Sequence, residues 1–389
     1  MRRQEVDPHL LLHRIGMAEH EPEKGGSKQP NWAHGCVEGK STEGAILVNL
    51  SAAWRLQQAR RDHIMTYYDA SNAFGSFVWP ALLEGMTKLA GEGEADYHNE
   101  QLAQQAFDLT AAGETQTFRP GVGVLMGRSG GPASFVQTYN EELKAWKHTN
   151  NLANTAGTAL LAKCPVTGRM ADLSLTVYVD DIGKAHAAET TRPELVREAE
   201  DRLGQQMAKK GVTMNPGKTE YVIACYGRGA ARRRAKLLRH FPTAQREARY
   251  LGPVFGRAGR ISTEVGRRLA AARVAWSSVG RVWFEPVGWR FLRMLYLSLI
   301  QGTFLAGLSA WAVLPPTDLD RLEKAQSRRL RNMMKGKATQ RNDRGEVEHS
   351  LTNREVLRHW RVLPLSLELR VRRLRRAQRW AAEPTNFVQ

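Results

Sequence analysis

The chain has 389 residues, with 57 Lys and Arg against 39 Asp and Glu, which gives a net charge of +18 at pH 7. This length allows two or three domains with a sizeable core, and a hydrophobic content of 42% excludes a largely disordered chain. The positive surplus indicates a polyanionic partner, with nucleic acid first and an anionic membrane surface second. The three cysteines lack paired spacing, which argues against a disulfide framework and a zinc knuckle.

Two segments bear on where the protein resides. Residues 1–33 are polar and contain no apolar run fit for a signal peptide. They are predicted to be poorly ordered, and the protein is predicted to be intracellular, nuclear or cytoplasmic, and not secreted. The apolar segment Phe291–Val313 is interrupted by Arg293, Gln301 and two glycines, which favours a buried helix over a membrane span. The sequence predicts no oligomeric state.

Hydrophobic periodicity predicts a mixture of helices and strands up to residue 259 and only helices beyond it. The predicted helices cover 41–60, much of 78–112, a stretch beginning near Pro132, 193–210, 262–279, 291–308, a stretch with a capping box at Thr317, and 363–380. The predicted strands are one that ends at Asp69, then 114–119, 173–179, 212–224 with a central turn, and 250–255.

Two of these strands end in carboxylates. The alternating apolar residues of Leu173–Ile182 predict a half-buried strand that ends at Asp180 and Asp181. Adjacent carboxylates repel each other and persist most easily where a cation neutralises them, although an Asp-Asp pair in a solvated surface turn is a common alternative. The strand predicted within His63–Phe74 also ends in a carboxylate, Asp69. This second acidic strand end strengthens the interpretation of Asp180 and Asp181 as part of a metal site.

A glycine-rich loop, Gly121–Pro132, lies between the two strand ends in sequence. Such loops before helices often cradle phosphates, and just as often they are ordinary turns. No Gly-Lys-Ser/Thr closes this one, so it does not fit a P-loop. Three carboxylates, this loop and a later Lys suit nucleotidyl transfer, in which two Mg²⁺ ions about 3.5–4 Å apart bind the attacking 3′-hydroxyl and the departing pyrophosphate.

Five stretches resemble the palm motifs of reverse transcriptases, in the family's order and spacing. Asp69-Ala-Ser-Asn-Ala-Phe74 is similar to the first motif and Tyr178-Val-Asp-Asp181 to the third. The second, fourth and fifth are resembled by Met126-Gly-Arg-Ser-Gly-Gly-Pro-Ala-Ser-Phe135, Asn215-Pro-Gly-Lys-Thr219 and Tyr250-Leu-Gly252. Further similarities to non-LTR (LINE-type) retrotransposon enzymes are Gly39-Lys-Ser-Thr42 upstream, and Leu308-Ser-Ala-Trp311 and Leu330-Arg331 downstream, so that the resemblance covers roughly 32–380.

The resemblance implies an α+β fold: a right-hand polymerase palm, an antiparallel sheet with packed helices, followed by an all-helical thumb. It divides the chain into residues 1–33, a fingers remnant and palm over 34–260, and a basic helical region over 261–389. It implies an RNA-directed DNA polymerase that works on an RNA template, a DNA primer and dNTPs with two Mg²⁺ ions, or Mn²⁺ in their place, away from a membrane. The basic C-terminal helices would track the phosphates of the template–primer duplex.

Each motif then carries an implied role. Asp69 and Asp180 would hold both metals with help from Asp181, and Phe74 would exclude a 2′-hydroxyl, unless it is simply a core aromatic. Lys218 would protonate the departing pyrophosphate, with a solvated turn lysine as the alternative. The remaining implied roles are nucleotide binding by Met126, Gly127 and Tyr178 and a primer grip formed by Tyr250, Leu251 and Gly252.

The chain also departs from the family pattern. Met126 stands where the family has Gln, Arg128 where it has Asp, and Gly75 where it has Asp after the gate aromatic. The fingers would precede residue 34, and only about thirty polar residues stand there. The sequence therefore predicts an N-terminally truncated reverse transcriptase without a visible endonuclease domain. The alternatives are a catalytically decayed nucleic-acid-binding protein, which the three retained carboxylates disfavour, and a membrane-attached basic protein.

Overall fold

The structure is a computed structural model that describes residues 32–35, 40–90, 96, 99–100, 102–124, 131–149, 160–163, 170–187, 192–256 and 261–382. The described chain forms two compact units. The N-terminal unit runs to Gly252, and the C-terminal unit combines Pro253–Phe255 with the described part of Arg260–Ala382.

The helices of the N-terminal unit follow the apolar periodicity of the sequence. The first begins at Ser41, whose Oγ accepts a hydrogen bond from the Gly44 N–H at 3.1 Å, so that a serine caps the otherwise unpaired amides of the first turn. The described helices of this unit are α1 (Thr42–Gln58), α2 (Ala73–Ser76), α3 (Trp79–Ala90), α4 (Gly131–Thr149), α5 (Glu194–Ala208) and α6 (Ala230–His240).

The strands of this unit are mostly short and antiparallel. Their bounds are β1 (His63–Tyr68), β2 (Ala70–Ser71), β3 (Phe107–Ala111), β4 (Glu114–Phe118), β5 (Leu161–Lys163), β6 (Met170–Asp172), β7 (Leu175–Tyr178), β8 (Asp181–Ala187), β9 (Thr213–Met214), β10 (Glu220–Ala224) and β11 (Glu247–Arg249). Four of them form the main sheet in the order β10-β1-β8-β7, and every neighbouring pair is antiparallel. The antiparallel sheet with packed helices confirms the α+β prediction.

The segment Trp32–Gly35 extends this sheet beyond β7. Ala33 bridges to Val177 in the parallel sense, and the His34 N–H donates to the Val177 carbonyl at 2.8 Å. Trp32 and Ala33 are buried, 3% and 1% exposed. Two residues that the sequence assigned to a polar, poorly ordered segment therefore belong to the sheet, because an edge strand offers unpaired backbone groups to any extended neighbour.

Side chains of successive residues on β1 point to opposite faces of the sheet, so that different residues pack against each face. Tyr67 stacks on Tyr250 with ring centroids 5.0 Å apart, and its hydroxyl donates to Asn49 of α1 at 3.0 Å. Tyr68 instead meets Trp146 of α4 edge to face at 6.3 Å, within the large apolar core that α4 and α5 share with the sheet. The sheet is thus a rigid layer whose strand ends are fixed on both sides.

Two predictions for the N-terminal unit were wrong in part. Residues 107–111, predicted as part of a helical stretch, form β3 and pair with β4 through a tight turn. Ala112 and Gly113 have φ of 54° and 86° there, a left-handed pair that matches the twist of a hairpin. The strand predicted to begin at Tyr250 begins instead at Val254, because Leu251 and Gly252 have φ of 51° and 98° and cannot continue an extended run.

The C-terminal unit is mainly helical, as predicted. Its described elements are β12 (Val254–Gly256), α7 (Ser262–Val279), a 3₁₀ turn (Gly280–Phe284), α8 (Trp289–Leu295), a π-helical turn (Tyr296–Gln301), α9 (Gly302–Leu305), a 3₁₀ turn (Leu308–Ala310), α10 (Pro316–Met333), β13 (Thr339–Arg341), β14 (Val347–Ser350), α11 (Asn353–Trp360) and α12 (Leu365–Ala382). The β13–β14 hairpin was not predicted, since its short strands are largely exposed and contain one apolar residue, Val347, so that they show no apolar alternation.

The start of α10 also differs from the prediction, because Pro315 occupies the cap position and no side chain caps the helix at Thr317. The apolar segment Phe291–Val313 is divided among the short helices, the π-helical turn and a 3₁₀ turn. In the part of the chain that the structure describes, no helix is both long and apolar enough to cross a membrane.

Candidate active site

The antiparallel pairing of β1 with β8 brings the three predicted carboxylates together. Tyr68 pairs with Ile182 in the last register position. One step further along the same two strands, Asp69 follows Tyr68 and Asp181 precedes Ile182, with Asp180 in the adjoining turn. Two stretches more than a hundred residues apart in sequence thus place their acidic groups at one edge of the sheet.

The three carboxylates interact electrostatically. Burial, with added repulsion from Asp180 and Asp69, raises the pKa of Asp181 to about 6. Burial and repulsion from Asp69 also raise the pKa of Asp180. Tyr139 of α4 donates to the Asp180 carbonyl at 3.2 Å, and burial together with all three carboxylates raises the pKa of its hydroxyl. No residue pattern in the sequence distinguished Tyr139, so this hydroxyl contact was not predicted.

A cation would relieve this repulsion. The Oδ2 atom of Asp69 is shielded from water and accepts no hydrogen bond, and the cation that faces it, the Lys218 ammonium, lies 3.4 Å away. This oxygen therefore retains the capacity to accept a bond from a metal ion. Oxygen-only donors suit Mg²⁺ or Mn²⁺. Among the described residues, no three His, Cys, Asp or Glu side chains already converge as ligands around one point. The donor chemistry fits a hard divalent cation that would draw Asp69, Asp180 and Asp181 together.

A turn after β9 brings Lys218 to the same place. β2 pairs with β9, and the Asn215 N–H donates to the Asp69 carbonyl at 2.8 Å, which fixes the turn that follows. The Nζ of Lys218 lies 3.4 Å from Oδ2 of Asp69, while its side chain remains 68% exposed. The fourth predicted motif therefore faces the first, with the ammonium group open to solvent.

The turn that carries the acidic pair, Tyr178–Asp181 (the Asp-Asp turn), is strained. Val179 has a φ of 61°, a left-handed conformation that is costly for a β-branched residue. Gly35 packs directly against it: a Cβ on Gly35 would lie 2.5 Å from Val179 Cγ2 and 2.9 Å from the Tyr178 carbonyl carbon. Residue patterns in the chain gave no signal for this contact, which joins the sheet edge to the Asp-Asp turn.

The Tyr250 side chain lies beneath the sheet. It is 3% exposed, and its hydroxyl donates to the Thr176 carbonyl at 3.1 Å and lies 3.5 Å from the Asp181 carbonyl. Of the predicted primer-grip residues, Tyr250 thus supports the backbone of the acidic strand, while Leu251 and Gly252 supply the left-handed bend that follows it.

Phe74 occupies a defined position on α2. It is half-buried and stacks on Phe135 of α4, with ring centroids 4.1 Å apart and planes 12° from parallel. The Val124 N–H donates to the Phe74 carbonyl at 2.8 Å, and Gly123, with a φ of 76°, leaves no room for a Cβ against Gly75. The start of the glycine-rich loop is therefore packed on the first motif.

The other predicted nucleotide-binding residues divide between described and undescribed parts of the chain. Tyr178 is half-buried and pairs with Asp181 across the hairpin. Met126 and Gly127 lie outside the described residues, as does Arg128.

A buried ionic network stabilises β8, the strand that begins at Asp181. Lys184 of β8 is 3% exposed and donates to Ser174 Oγ at 2.6 Å. Burial lowers the pKa of Lys184 to about 8, against the attraction of Asp172. Asp172 forms an ion pair with Lys147 of α4 at 3.0 Å, and the two lysines hold the pKa of its carboxyl well below its usual range despite burial.

Residues 19–255 match the family described as reverse transcriptase (RNA-dependent DNA polymerase), which is more than half of the chain. A comparison with curated protein sequences gave no match.

Solved telomerase structures are similar at low identity. The telomerase of Candida albicans in complex with a TWJ fragment of telomeric RNA has a TM-score of 0.43 and 9% identity over 92% of this chain and 58% of that chain. The corresponding complex from Candida tropicalis gives 0.43 and 9% over 91% and 56%, and a C-terminally truncated apo form gives 0.41 and 12% over 59% and 40%. The chain thus spans about half the length of these telomerases. On the match of residues 19–255, the chain belongs to the reverse transcriptase (RNA-dependent DNA polymerase) family.

Proposed function

We propose that this chain is the RNA-directed DNA polymerase of a non-LTR retrotransposon-like element, acting inside the cell. It would add dNTPs to the 3′-hydroxyl of a DNA primer annealed to an RNA template. The observation that carries the proposal is the meeting of Asp69, Asp180 and Asp181 at one sheet edge, where burial and mutual repulsion raise the pKa of Asp180 and Asp181. The family match and the net charge of +18 support a nucleic-acid substrate.

The acidic residues would hold the metal ions. Asp69 and Asp180, with Asp181, would bind two Mg²⁺ ions, or Mn²⁺, through carboxylate oxygens. When bound, the ions lower the pKa of the primer hydroxyl and neutralise charge on the leaving pyrophosphate. Asp69 has an oxygen with no hydrogen-bond partner to offer, and Tyr139 and Tyr250 hold the backbone of Asp180 and Asp181 in place for this task.

Lys218 would supply a proton. Its Nζ lies 3.4 Å from Asp69 on an exposed side chain, so it can reach a phosphate oxygen bound beside that carboxylate. A protonated amine there donates a hydrogen bond to the pyrophosphate and can transfer the proton as the P–O bond breaks. The exposed remainder of the side chain leaves it free to follow the leaving group.

Phe74 would select the sugar of the incoming nucleotide. Its ring is backed by Phe135 at 4.1 Å and its carbonyl is held by Val124, so the ring cannot retreat without disturbing α4. A fixed aromatic edge beneath the sugar excludes a 2′-hydroxyl by steric overlap and favours dNTPs. The half-exposed position of Phe74 leaves one edge available for this contact.

Primer extension on an RNA template with dNTPs and Mg²⁺ tests the proposal. The parent chain is compared with the double variant Asp180→Ala/Asp181→Ala, which removes two of the three carboxylates. We expect extension by the parent and a loss of about 10³-fold or more in the variant. Replacing Asp201 and Glu198, both acidic residues of α5 away from the sheet edge, by Ala gives a control with the same change in net charge.

A catalytically decayed nucleic-acid-binding protein is the other candidate. The proximity of Lys218 to Asp69 favours it, since an ammonium group already neutralises part of the charge that a metal would neutralise. No extension by the parent with either Mg²⁺ or Mn²⁺, combined with equal duplex binding by parent and double variant, would establish this second function and refute the first.

A further inference from the structure

A cluster of large apolar side chains is exposed on the C-terminal unit, between the 3₁₀ turn that follows α7 and the end of α8. Soluble proteins expose such residues singly as a rule, whereas a contiguous set marks an interaction surface. The exposed fraction of each side chain lies between 37% and 53%. The set, which we name the Trp289 surface, consists of Phe284, Val287, Trp289, Phe291 and Met294.

Hydrogen bonds and stacking hold the backbone of this stretch in place. Trp283 is fully buried and stacks on Trp276 of α7 with ring centroids 4.5 Å apart, and its Nε1–H donates to the Trp276 carbonyl at 2.9 Å. Lys335 donates to the Glu285 carbonyl at 3.0 Å, and Arg293 donates to the carbonyl of the last residue of α11 at 3.0 Å. A ligand would therefore meet a backbone that is already ordered, which lowers the entropic cost of binding.

Arginines accompany the apolar side chains. The guanidinium carbons of Arg290 and Arg361 lie 5.9 Å and 5.5 Å from the centroid of the Trp289 ring, and Arg281 is exposed at the start of the stretch. Among the described residues, no carboxylate forms an ion pair with any of these three arginines. The stretch itself contains one acidic residue, Glu285. The charge that would complement the surface is therefore negative.

The residue types favour a protein as the partner. Trp, Phe, Met and Arg are enriched at protein interfaces and Lys is depleted, and the stretch from Arg281 to Met294 contains no Lys. A helix that lies on a membrane separates its apolar face from its basic face. Arg290 and Met294 instead lie one turn apart on the same side of α8, and the Arg361 guanidinium lies over Trp289. Insertion of the apolar side chains in lipid would bring these arginines with them.

We propose that the Trp289 surface is a docking site for an acidic segment of a partner protein. Apolar side chains of the partner would pack on Trp289, Phe291 and Met294, and its carboxylates would pair with Arg290 and Arg361. Because truncation of Trp and Arg is most costly at protein interfaces, Trp289 and these two arginines should dominate the affinity. A second copy of this chain is disfavoured, since it carries the same positive surplus.

Selection from a display library of random peptides tests the proposal. The full-length chain is the target, and an excess of Trp289→Ala in solution removes peptides that bind elsewhere on the molecule. We expect enrichment of sequences that combine Asp or Glu with aromatic or large aliphatic residues. Absence of enrichment over a selection without target, or enrichment of sequences that lack acidic residues, would overturn the proposal.

Fluorescence anisotropy of a labelled, enriched peptide measures the contribution of the aromatic anchor. Trp289→Ala should weaken binding by about 30-fold or more. Leu374→Ala on α12 is the control, because Leu374 is an apolar side chain that is 63% exposed outside the surface, and it should bind as the parent does. Equal weakening in the two variants would contradict a site at Trp289. Thermal melting of each variant shows whether its folding has changed.

Reversal of charge tests the acidic character of the partner. Arg290→Glu/Arg361→Glu should lose the acidic peptide and bind a version in which Lys replaces Asp and Glu, because the attraction returns with opposite signs. Arg370→Glu/Arg375→Glu has the same change in net charge at exposed positions on α12 and should do neither. A reversed variant that does not prefer the Lys version would overturn the proposal.

The competing ligands are vesicles of phosphatidylcholine with phosphatidylserine, and an RNA–DNA hybrid duplex. Trp289→Ala should bind both as the parent does. A loss of vesicle or duplex binding in Trp289→Ala, but not in Leu374→Ala, would overturn the proposal and assign the surface to a membrane or to nucleic acid. The proposal is independent of the polymerase activity, because peptide binding is measured without primer or nucleotide.

Discussion

The backbones of Gly35 and Val179 are in contact at the Asp-Asp turn, and the space beside the Gly35 Cα admits a hydrogen atom but not a Cβ carbon. A Cβ on Gly35 would lie 2.5 Å from Val179 Cγ2 and closer still to the Val179 backbone nitrogen. Val179 in turn adopts a φ of 61° immediately before the acidic pair. The Trp32–Gly35 segment at the sheet edge therefore helps to hold a strained backbone whose next two residues are Asp180 and Asp181.

Gly35→Ala should displace the Asp-Asp turn. Overpacking of this kind typically costs about 1–3 kcal/mol, and we expect the free energy of unfolding to fall by that amount. A shift of 1 Å at catalytic groups can cost about 100-fold, so kcat for primer extension should fall by about 10-fold or more while KM for dNTP changes less. Thermal melting and steady-state extension measure the two effects.

Gly204→Ala is the control for this glycine. Gly204 lies on α5 with open space at its Cβ position, so the same chemical change should leave kcat unaltered and add about 0.5–1 kcal/mol of stability. The double variant Gly35→Ala/Val179→Ala should remain impaired, because the clash with the Val179 backbone survives removal of Cγ2. Full recovery in that double variant would show that the contact is with the side chain alone.

Phe74→Val should relax the choice of sugar. Removing the ring edge opens space for a 2′-hydroxyl, and we expect kcat/KM for rNTP relative to dNTP to rise by at least about 10-fold. Loss of the stacking on Phe135 will also destabilise the core, but the ratio of two substrates on one preparation is insensitive to the active fraction. Phe74→Leu, which keeps more of the bulk, should give a smaller rise. An unchanged ratio would leave Phe74 as a core aromatic.

Lys218→Gln should slow the chemical step. Removal of a positioned proton donor typically costs about 10²–10⁴-fold, so we expect a fall in kcat of that order with a modest change in KM for dNTP. Lys236→Gln on α6 is the matched control, because Lys236 is also an exposed lysine. Single-turnover extension separates chemistry from product release. Normal single-turnover rates in Lys218→Gln would indicate a solvated turn lysine.

Lys184→Met should change how stability depends on pH. Burial lowers the folded-state pKa of Lys184 to about 8, below the unfolded value of 10.5. Between these two values the unfolded parent binds more protons than the folded parent, so the parent gains stability as pH rises from 8 and loses it as pH falls. Met removes this term.

Melting curves of parent and Lys184→Met between pH 7 and pH 10 measure the effect. The stability of the parent relative to the variant should rise by up to about 2 kcal/mol across this interval. Lys209→Met, at an exposed end of α5, should follow the parent at every pH. A constant difference between parent and Lys184→Met would contradict the depressed pKa.

The structural features that depend on a few consecutive residues were predictable from the sequence. The apolar alternation before Asp180 and Asp181 and the aromatic run before Asp69 predicted the strands, and the start of the helix predicted over 41–60 is confirmed by α1, because period and capping are properties of a few consecutive residues. The turn around Lys218 was predicted for the same reason. By contrast, only β4 of the β3–β4 hairpin was predicted. β3 was assigned to a helical stretch, because the short alternation of Phe107, Leu109 and Ala111 does not by itself distinguish a strand from a helix.

The sequence by itself determined which residues have the right chemistry: three carboxylates at strand ends, an aromatic after the first, and a lysine on a later turn. Only the tertiary structure decided which of these side chains lie close together. The register of β1 with β8 places Asp69 next to Asp181, and the pairing of β2 with β9 brings Lys218 to Asp69. It also supplied the contacts of Gly35, Tyr139 and Tyr250 with the acidic hairpin, because packing across a sheet depends on distances that no local pattern encodes.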